Sequence, residues 1–161
     1  NSSYLGYTEY DALTLLLDAV KRTSMPLGCL VKLHPEEKLN KFDAIFEGFS
    51  AQKVAYANED SGTLISVADV VLGMISTILV QSYLLGKHTI SIQPDLRGTD
   101  SSILGRIGVV KPTGNVAELV KALNKDGVNL MPSCNSWRNS LMDGRATERV
   151  ANLIFDVIKS V

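Results

Sequence analysis

The sequence predicts an α/β fold: a doubly wound, mostly parallel, Rossmann-like sheet in three layers (α/β/α), forming a single domain over residues 1–161. Three observations predict it. Short apolar runs alternate along the chain with stretches of helical period. Those runs are apolar on both faces, as strands of a parallel sheet covered on both sides should be. A length of 161 residues suits one domain that buries about two thirds of its unfolded surface without disulfides or metals.

Each element can be justified in order. Thr8 reads as an N-cap, and Tyr10, Leu13, Leu17 and Val20 share one face of a helix ending near Lys21-Arg22. Leu27 to Leu33 reads as a buried strand, closed by His34-Pro35, where proline fixes the turn. A short helix is expected over Glu36 to Phe46, then a strand over Lys53 to Ala57. Ser61 is positioned to cap a helical turn through Leu64, Ile65 and Val67. Asp69 to Gly73 reads as the third strand. Thr77 to Leu85 follows as a helix apolar nearly all round, and therefore buried. His88 to Ile92 and Ile107 to Lys111 complete the expected strands. Val116, Leu119, Val120 and Leu123 mark a helix ending at Asp126-Gly127. Met131 to Asn139 is the least regular stretch. Val150, Leu153, Ile154, Val157, Ile158 and Val161 mark an amphipathic closing helix that starts at Asp143 or Gly144.

The pattern opens on a helix, whereas a doubly wound sheet usually opens on a strand near its centre. Residues 1–6 are too short and polar for that strand, so the expectation is a chain cut from something longer.

Composition narrows the function. A net charge of −1 gives no basic footprint for nucleic acid. No apolar run approaches the ~20 residues of a membrane span, and the N-terminus lacks the features of a secretory signal. Cys29 falls in a predicted strand and reads as a small core residue, while Cys134 falls in a polar loop; neither suggests a disulfide framework. His34 and His88 lie far apart, without the clustered ligands zinc prefers, so no metal and no cofactor are expected. The chain reads as reduced and cytoplasmic, and a peripheral position at the inner membrane face stays open.

The chemistry concentrates where strands end. Ligands of open parallel sheets bind outside the carboxyl ends of the strands. His34, Asn58-Glu59-Asp60, Ser76-Thr77, Gln93-Pro94-Asp95 and Lys111-Pro112 all follow predicted strands, and the loop Tyr4 to Tyr7 joins them. Asp69 and His88 precede theirs and belong to the opposite edge. A helix start offers unpartnered N–H groups and partial positive charge, which suits an anion. Ser76 and Thr77 add hydroxyl donors there, and Gly73 lets a ligand approach the backbone. Ser and Thr are equally ordinary helix caps. His34 is suited to donate to a phosphate or ribose oxygen, or to act as an acid near neutral pH, or simply to cap the turn beside Pro35. Gln81, just over one turn into the helix, is placed to reach a ribose hydroxyl or to bond a neighbouring loop.

At these residues the chain resembles the C-terminal, donor-binding domain of GT-B glycosyltransferases and of the related sugar-nucleotide 2-epimerases. The matching pieces are Lys32-Leu33-His34-Pro35, then Leu64 to Gly73, then Ser76-Thr77, and Gln81 through Gly86-Lys87. Asp143-Gly144-Arg145-Ala146-Thr147-Glu148-Arg149-Val150 looks like the closing segment of that domain. The resemblance implies that His34-Pro35 contacts the nucleotide, that Gly73, Ser76 and Thr77 hold the donor phosphate, and that Gln81 meets the ribose. It also implies a UDP-, CMP- or CDP-linked sugar as donor, an N-terminal acceptor domain missing from this sequence, and a role in bacterial surface polysaccharide or glycan synthesis. His-Pro motifs similarly mark bacterial sialyltransferases and glycerol-phosphate polymerases. The catalytic base would lie on the other half. Two positions depart from the family's pattern: the ribose position is often Glu rather than Gln81, and His88 stands where Pro is usual.

Three rivals accompany this reading. A hydrolysing or non-hydrolysing epimerase half would use the same donor pocket. A receiver domain shares Lys111-Pro112 at the fifth strand, but its third strand should end in a phosphoaccepting Asp and here ends in Gly73. A non-catalytic interaction module needs no site.

Overall fold

The computed structural model describes residues 5–49, 53–124 and 142–159. The chain divides into two compact units, Asn1–Asn129 and Leu130–Val161. In the first run α1 (Glu9–Arg22), β1 (Gly28–Lys32), α2 (Asp43–Glu47), β2 (Lys53–Ala57), α3 (Ser61–Val67), β3 (Val70–Gly73), α4 (Thr77–Leu84), β4 (His88–Ile92), α5 (Ile103–Arg106), β5 (Pro112–Thr113) and α6 (Val116–Leu123). The second carries α7 (Ala146–Lys159). Every strand pairing among the described residues is parallel, as the α/β reading requires. The ladders form two sheets, β1-β2 and β3-β4-β5, rather than one continuous ladder.

Helix α1 ties the two sheets together. It starts in a capping box: Thr8 Oγ1 accepts from Asp11 N at 3.3 Å, and Thr8 N donates to Asp11 Oδ2 at 2.7 Å. Glu9 and Asp11 in its first turn, with Lys21 and Arg22 in its last, complement the helix dipole. Leu13 and Leu17 pack with Phe42, Val31, Leu33, Val54 and Tyr56 over β1-β2. Ala12 and Ala19 pack with Ile90, Ile92, Leu119 and Leu123 over β3-β4. Leu16 touches both clusters.

Alternation along the strands places α4 on the other side of the three-stranded sheet. Val70, Leu72, Ile90 and Ile92 face α1 and α6, so Val71, Gly73, Thr89 and Ser91 face away. Contacts with α4 lie there: Ser82 Oγ and Thr89 Oγ1 are 2.7 Å apart, and the space beside Gly73 is filled by Leu79. This sheet is therefore the middle of three layers. The β1-β2 sheet is covered differently from expectation. Its α1 face is packed, but Leu30, 62% exposed, and its partner Ala55 lie open on the opposite face.

Three predicted elements move. Ile107 to Lys111 is not a strand. Ile107, Gly108, Val109 and Val110 wrap the end of the short helix α5, donating to the carbonyls of Ile103, Gly105 and Leu104, so β5 forms only at Pro112–Thr113, opposite Ser91–Ile92. Helix α2 is shorter than Glu36 to Phe46 because residues before Asp43 close turns instead, with Glu37 N donating to His34 O and Lys41 N to Lys38 O. The cap of α3 is Asp60 rather than Ser61: its carboxylate accepts from Thr63 N at 3.0 Å. The helix end expected at Asp126-Gly127, the Met131 to Asn139 stretch, Cys134 and Val161 lie outside the described residues.

Helix α7 is amphipathic as expected, and Val150, Leu153, Ile154 and Ile158 are all exposed. Its start is held by Asp143, which accepts from Arg145 N at 2.9 Å and pairs with Arg149 at 2.7 Å. Hydrogen bonds from the Arg149 guanidinium and from Arg145 N hold the Asp143 carboxyl below its usual range.

A charge cluster joins α1 to the turn ahead of α2. Lys41 bonds Glu37 and also Glu9, the latter at 2.7 Å. The Lys41 hydrogen bond lowers Glu9 below its ordinary 4.5. Burial alone would raise Glu37, but hydrogen bonds from Lys41 and from His34 N outweigh it and lower that carboxyl too. Both carboxyls therefore stabilise the fold above their unfolded values, and that contribution disappears as pH falls through their folded ones. Lys41 behaves oppositely. Burial opposes its charge, Glu37 and Glu9 raise it above 10.5, and its contribution is lost only as pH climbs through that raised value. In urea titrations Lys41→Met is expected to cost about 0.5–1 kcal/mol at neutral pH, a value kept small by solvent screening at Glu9. The difference should vanish once both carboxyls are protonated; an equal loss at both pH values would show that packing, not charge, is responsible.

Candidate functional site

The carboxyl ends of the strands carry the candidate residues. Beyond β1, the chain turns sharply at His34-Pro35. Glu37 satisfies both backbone groups of His34: His34 N donates to Glu37 Oε2 at 3.1 Å, and Glu37 N donates to His34 O at 2.9 Å. The imidazole Nδ1 accepts from Glu36 N at 3.4 Å. His34 thus caps its own turn, and both it and Pro35 are exposed.

Beyond β3, Ser76 is the N-cap of α4, its Oγ accepting from Ile78 N at 3.2 Å. The hydroxyl proton of Ser76 is left to donate outward. Thr77 and Gln81 follow on α4; both are exposed, and their side chains make no hydrogen bond among the described residues. No acidic residue lies in the first turn of α4, so no carboxylate of its own first turn offsets its positive end. The role expected for Gly73 changes. A Cβ on Gly73 would lie 3.3 Å from Leu79 Cδ2, so the missing side chain serves the close approach of Leu79 to the strand.

Ser76, Thr77 and Gln81 thus lie along the start of one helix, and His34 lies at the end of a strand of the other ladder. His34 follows the two-stranded sheet, whereas Ser76 and Thr77 follow the three-stranded one. Among the described residues no hydrogen bond or ion pair joins His34 to the other three. Of the remaining strand-end residues, Asp60 is consumed in capping α3, and its carboxyl is held low by the Thr63 hydroxyl and N–H. Lys111 precedes β5 instead of following a strand, which corrects its assignment to the binding edge and removes the receiver-like placement of Lys111-Pro112. His88 begins β4 and lies at the opposite edge, as expected. Burial pushes the Cys29 thiol up, the wrong direction for a thiolate nucleophile.

A further feature lies at the carboxyl ends of β4 and β5. An open cavity of about 540 Å³ is lined by Gln93, Asp95, Pro112, Gly114, Asn115 and Glu118 among others, and by none of the six predicted binding residues. Gln93 is 1% exposed; its Nε2 donates to Ser91 Oγ at 2.9 Å and to Asp100 Oδ1 at 2.7 Å. Its Oε1 is buried without a donor among the described residues. Asn115 and Glu118 are absent from the site that sequence predicts, although Asn115 with Glu118 three residues later is a capping signature: Asn115 Oδ1 accepts from Glu118 N at 3.0 Å.

Among the described residues no group of three or more His, Cys, Asp or Glu is arranged to hold a metal ion, and no helix is long and apolar enough to cross a membrane. No protein-family profile, curated protein or solved structure matches the chain.

Proposed function

We propose that this chain is the nucleotide-sugar-binding half of a glycosyltransferase of bacterial surface polysaccharide or glycan synthesis, partnered with an acceptor-binding half. The observation that carries the reading is the start of α4: a positive helix end with no acidic residue in its first turn, beside the exposed hydroxyls of Ser76 and Thr77 and the exposed amide of Gln81. Such a start favours a phosphate group through oriented N–H groups and hydroxyl donors. The same groups would stabilise charge on a nucleotide leaving from a sugar. Gln81, one turn further, is the group for a ribose hydroxyl. His34 supplies a ring N–H for the nucleotide from the end of β1.

Calorimetric titration with CMP, UDP and GDP tests this. One nucleotide is expected to bind with Kd of about 0.1–1 mM, weak because only half of the site is present, and the other two at least about tenfold more weakly. Ser76→Ala removes both the outward hydroxyl and the cap of α4 and should weaken binding about tenfold, whereas Ser76→Thr, which keeps both, should bind nearly as well. If none of the three binds, the reading falls.

A further inference from the structure

The His34 turn holds more than a strand-to-helix reversal requires. Glu37 grips both backbone groups of His34, as donor to one and acceptor for the other. Its second carboxylate oxygen is bonded by Lys41, which reaches on to Glu9 in the first turn of α1. The Lys41 ammonium also lies 5.2 Å from the ring centre of Phe42, a buried core residue, and 5.7 Å from that of Tyr10. The turn is thereby fixed to the core helix, while Pro35 removes one backbone freedom beside it.

The imidazole adds a chemical consequence. A backbone N–H can only donate, so the bond from Glu36 N requires a lone pair on Nδ1. In the neutral ring the proton must then sit on Nε2, because the hydrogen bond at one ring nitrogen sets the state of the other. Nε2 makes no hydrogen bond among the described residues, and His34 is exposed. A ligand meeting this ring from solvent meets an N–H donor and needs an acceptor oxygen, such as a phosphate oxygen or a pyrimidine carbonyl.

We propose that Glu37, held by Lys41, is a positioning residue that locks neutral His34 in the Nε2–H form and aims it as a hydrogen-bond donor. The inference deepens the nucleotide-binding reading and rests on it for the identity of the acceptor, but the state of the ring is measurable without any ligand. Removing the Glu37 carboxylate frees His34 N, loosens the turn, and releases Nδ1 from Glu36 N. The ring then samples both neutral forms.

The test is ¹⁵N NMR of the His34 ring in the full chain, with thermal melts to confirm that each variant is folded. In the unsubstituted protein Nδ1 should resonate as the unprotonated nitrogen and Nε2 as the protonated one. Glu37→Ala should give averaged shifts, whereas Glu37→Gln, which keeps a carbonyl acceptor for His34 N, should restore the single form. In nucleotide titrations Glu37→Ala should weaken binding about tenfold and Glu37→Gln by no more than about twofold. An Nδ1–H ring in the unsubstituted protein, or a ring unchanged in folded Glu37→Ala, overturns the positioning role. A locked ring in a protein that binds none of the three nucleotides leaves the positioning role standing and removes the nucleotide as its acceptor.

Discussion

Leu17→Ala should lower the unfolding free energy by about 3–4 kcal/mol, in the middle of the range for a leucine emptied from a closed core. Leu17 is 0% exposed and sits where α1 meets Phe42, Val31, Leu33 and Tyr56. Its neighbours come from two strands and two helices, so no single element can shift inward to fill the space. In a unit of this size each kcal/mol moves the melting point by several degrees, giving a drop of roughly 10–20 °C. Leu39→Ala supplies the contrast, because Leu39 is 69% exposed and its truncation should change stability by no more than about 0.5 kcal/mol. The pair is decisive for the architecture. If Leu17→Ala cost less than about 1 kcal/mol, α1 would not be clamped over β1-β2.

Elements with a strong local signature are legible in the amino-acid sequence itself. The Thr8 cap and the apolar spacing of α1 specify its start and its buried face, and β2 and β4 fall over the very residues their composition marks. The misplaced strand has a physical cause. Four residues of α5 are too few to display a 3.6-residue period, and the apolar residues behind them look like a strand. What decides otherwise is the chain reversing around Leu104, whose carbonyl accepts from both Val109 N and Val110 N. Likewise α4 reads as apolar all round, yet Ser82 is wholly buried because Thr89 on the neighbouring strand offers it a partner. Such a reversal or cross-element partner leaves no trace in the hydrophobic period of either segment.

The same boundary divides the site. That His34, Ser76 and Gln93 follow strands is readable, because in a parallel sheet position after a strand fixes the edge. Which strands are neighbours is not. The ladders join β1 to β2 and β3 to β4, and so place His34 and Ser76 at the ends of different sheets. The role of Gly73 is equally hidden, since only the position of Leu79 tells packing apart from ligand approach. Glu37 escapes for a different reason. A glutamate three residues past a histidine is unremarkable until its two oxygens are seen shared between the His34 backbone and Lys41.

Gly105→Ala should be the second severe substitution, costing about 2–4 kcal/mol, and the reason is space rather than backbone freedom. A Cβ at Gly105 would lie 1.6 Å from Asp100 Oδ2 and 2.7 Å from Ser102 Oγ. The Asp100 carboxylate cannot step aside without losing its hydrogen bonds from Ser102 N at 2.8 Å, Ser102 Oγ at 2.9 Å and Gln93 Nε2 at 2.7 Å. Gln93 and Ser102 are both buried, so their freed donors have no water to turn to. Gly108 gives the opposite case. Its φ of +73° favours glycine, but the space around it is open, so Gly108→Ala should cost about 1 kcal/mol from strain alone. A double-mutant cycle separates the two mechanisms. Asp100→Ala by itself should be about as damaging as Gly105→Ala, because each breaks the same hydrogen bonds. With the carboxylate gone the severe contact is removed and only Ser102 Oγ, at 2.7 Å, must give way, so the double variant should be at most about 1 kcal/mol less stable than Asp100→Ala alone. Additive losses would mean instead that the backbone of α5, not the Asp100 carboxylate, refuses the methyl group.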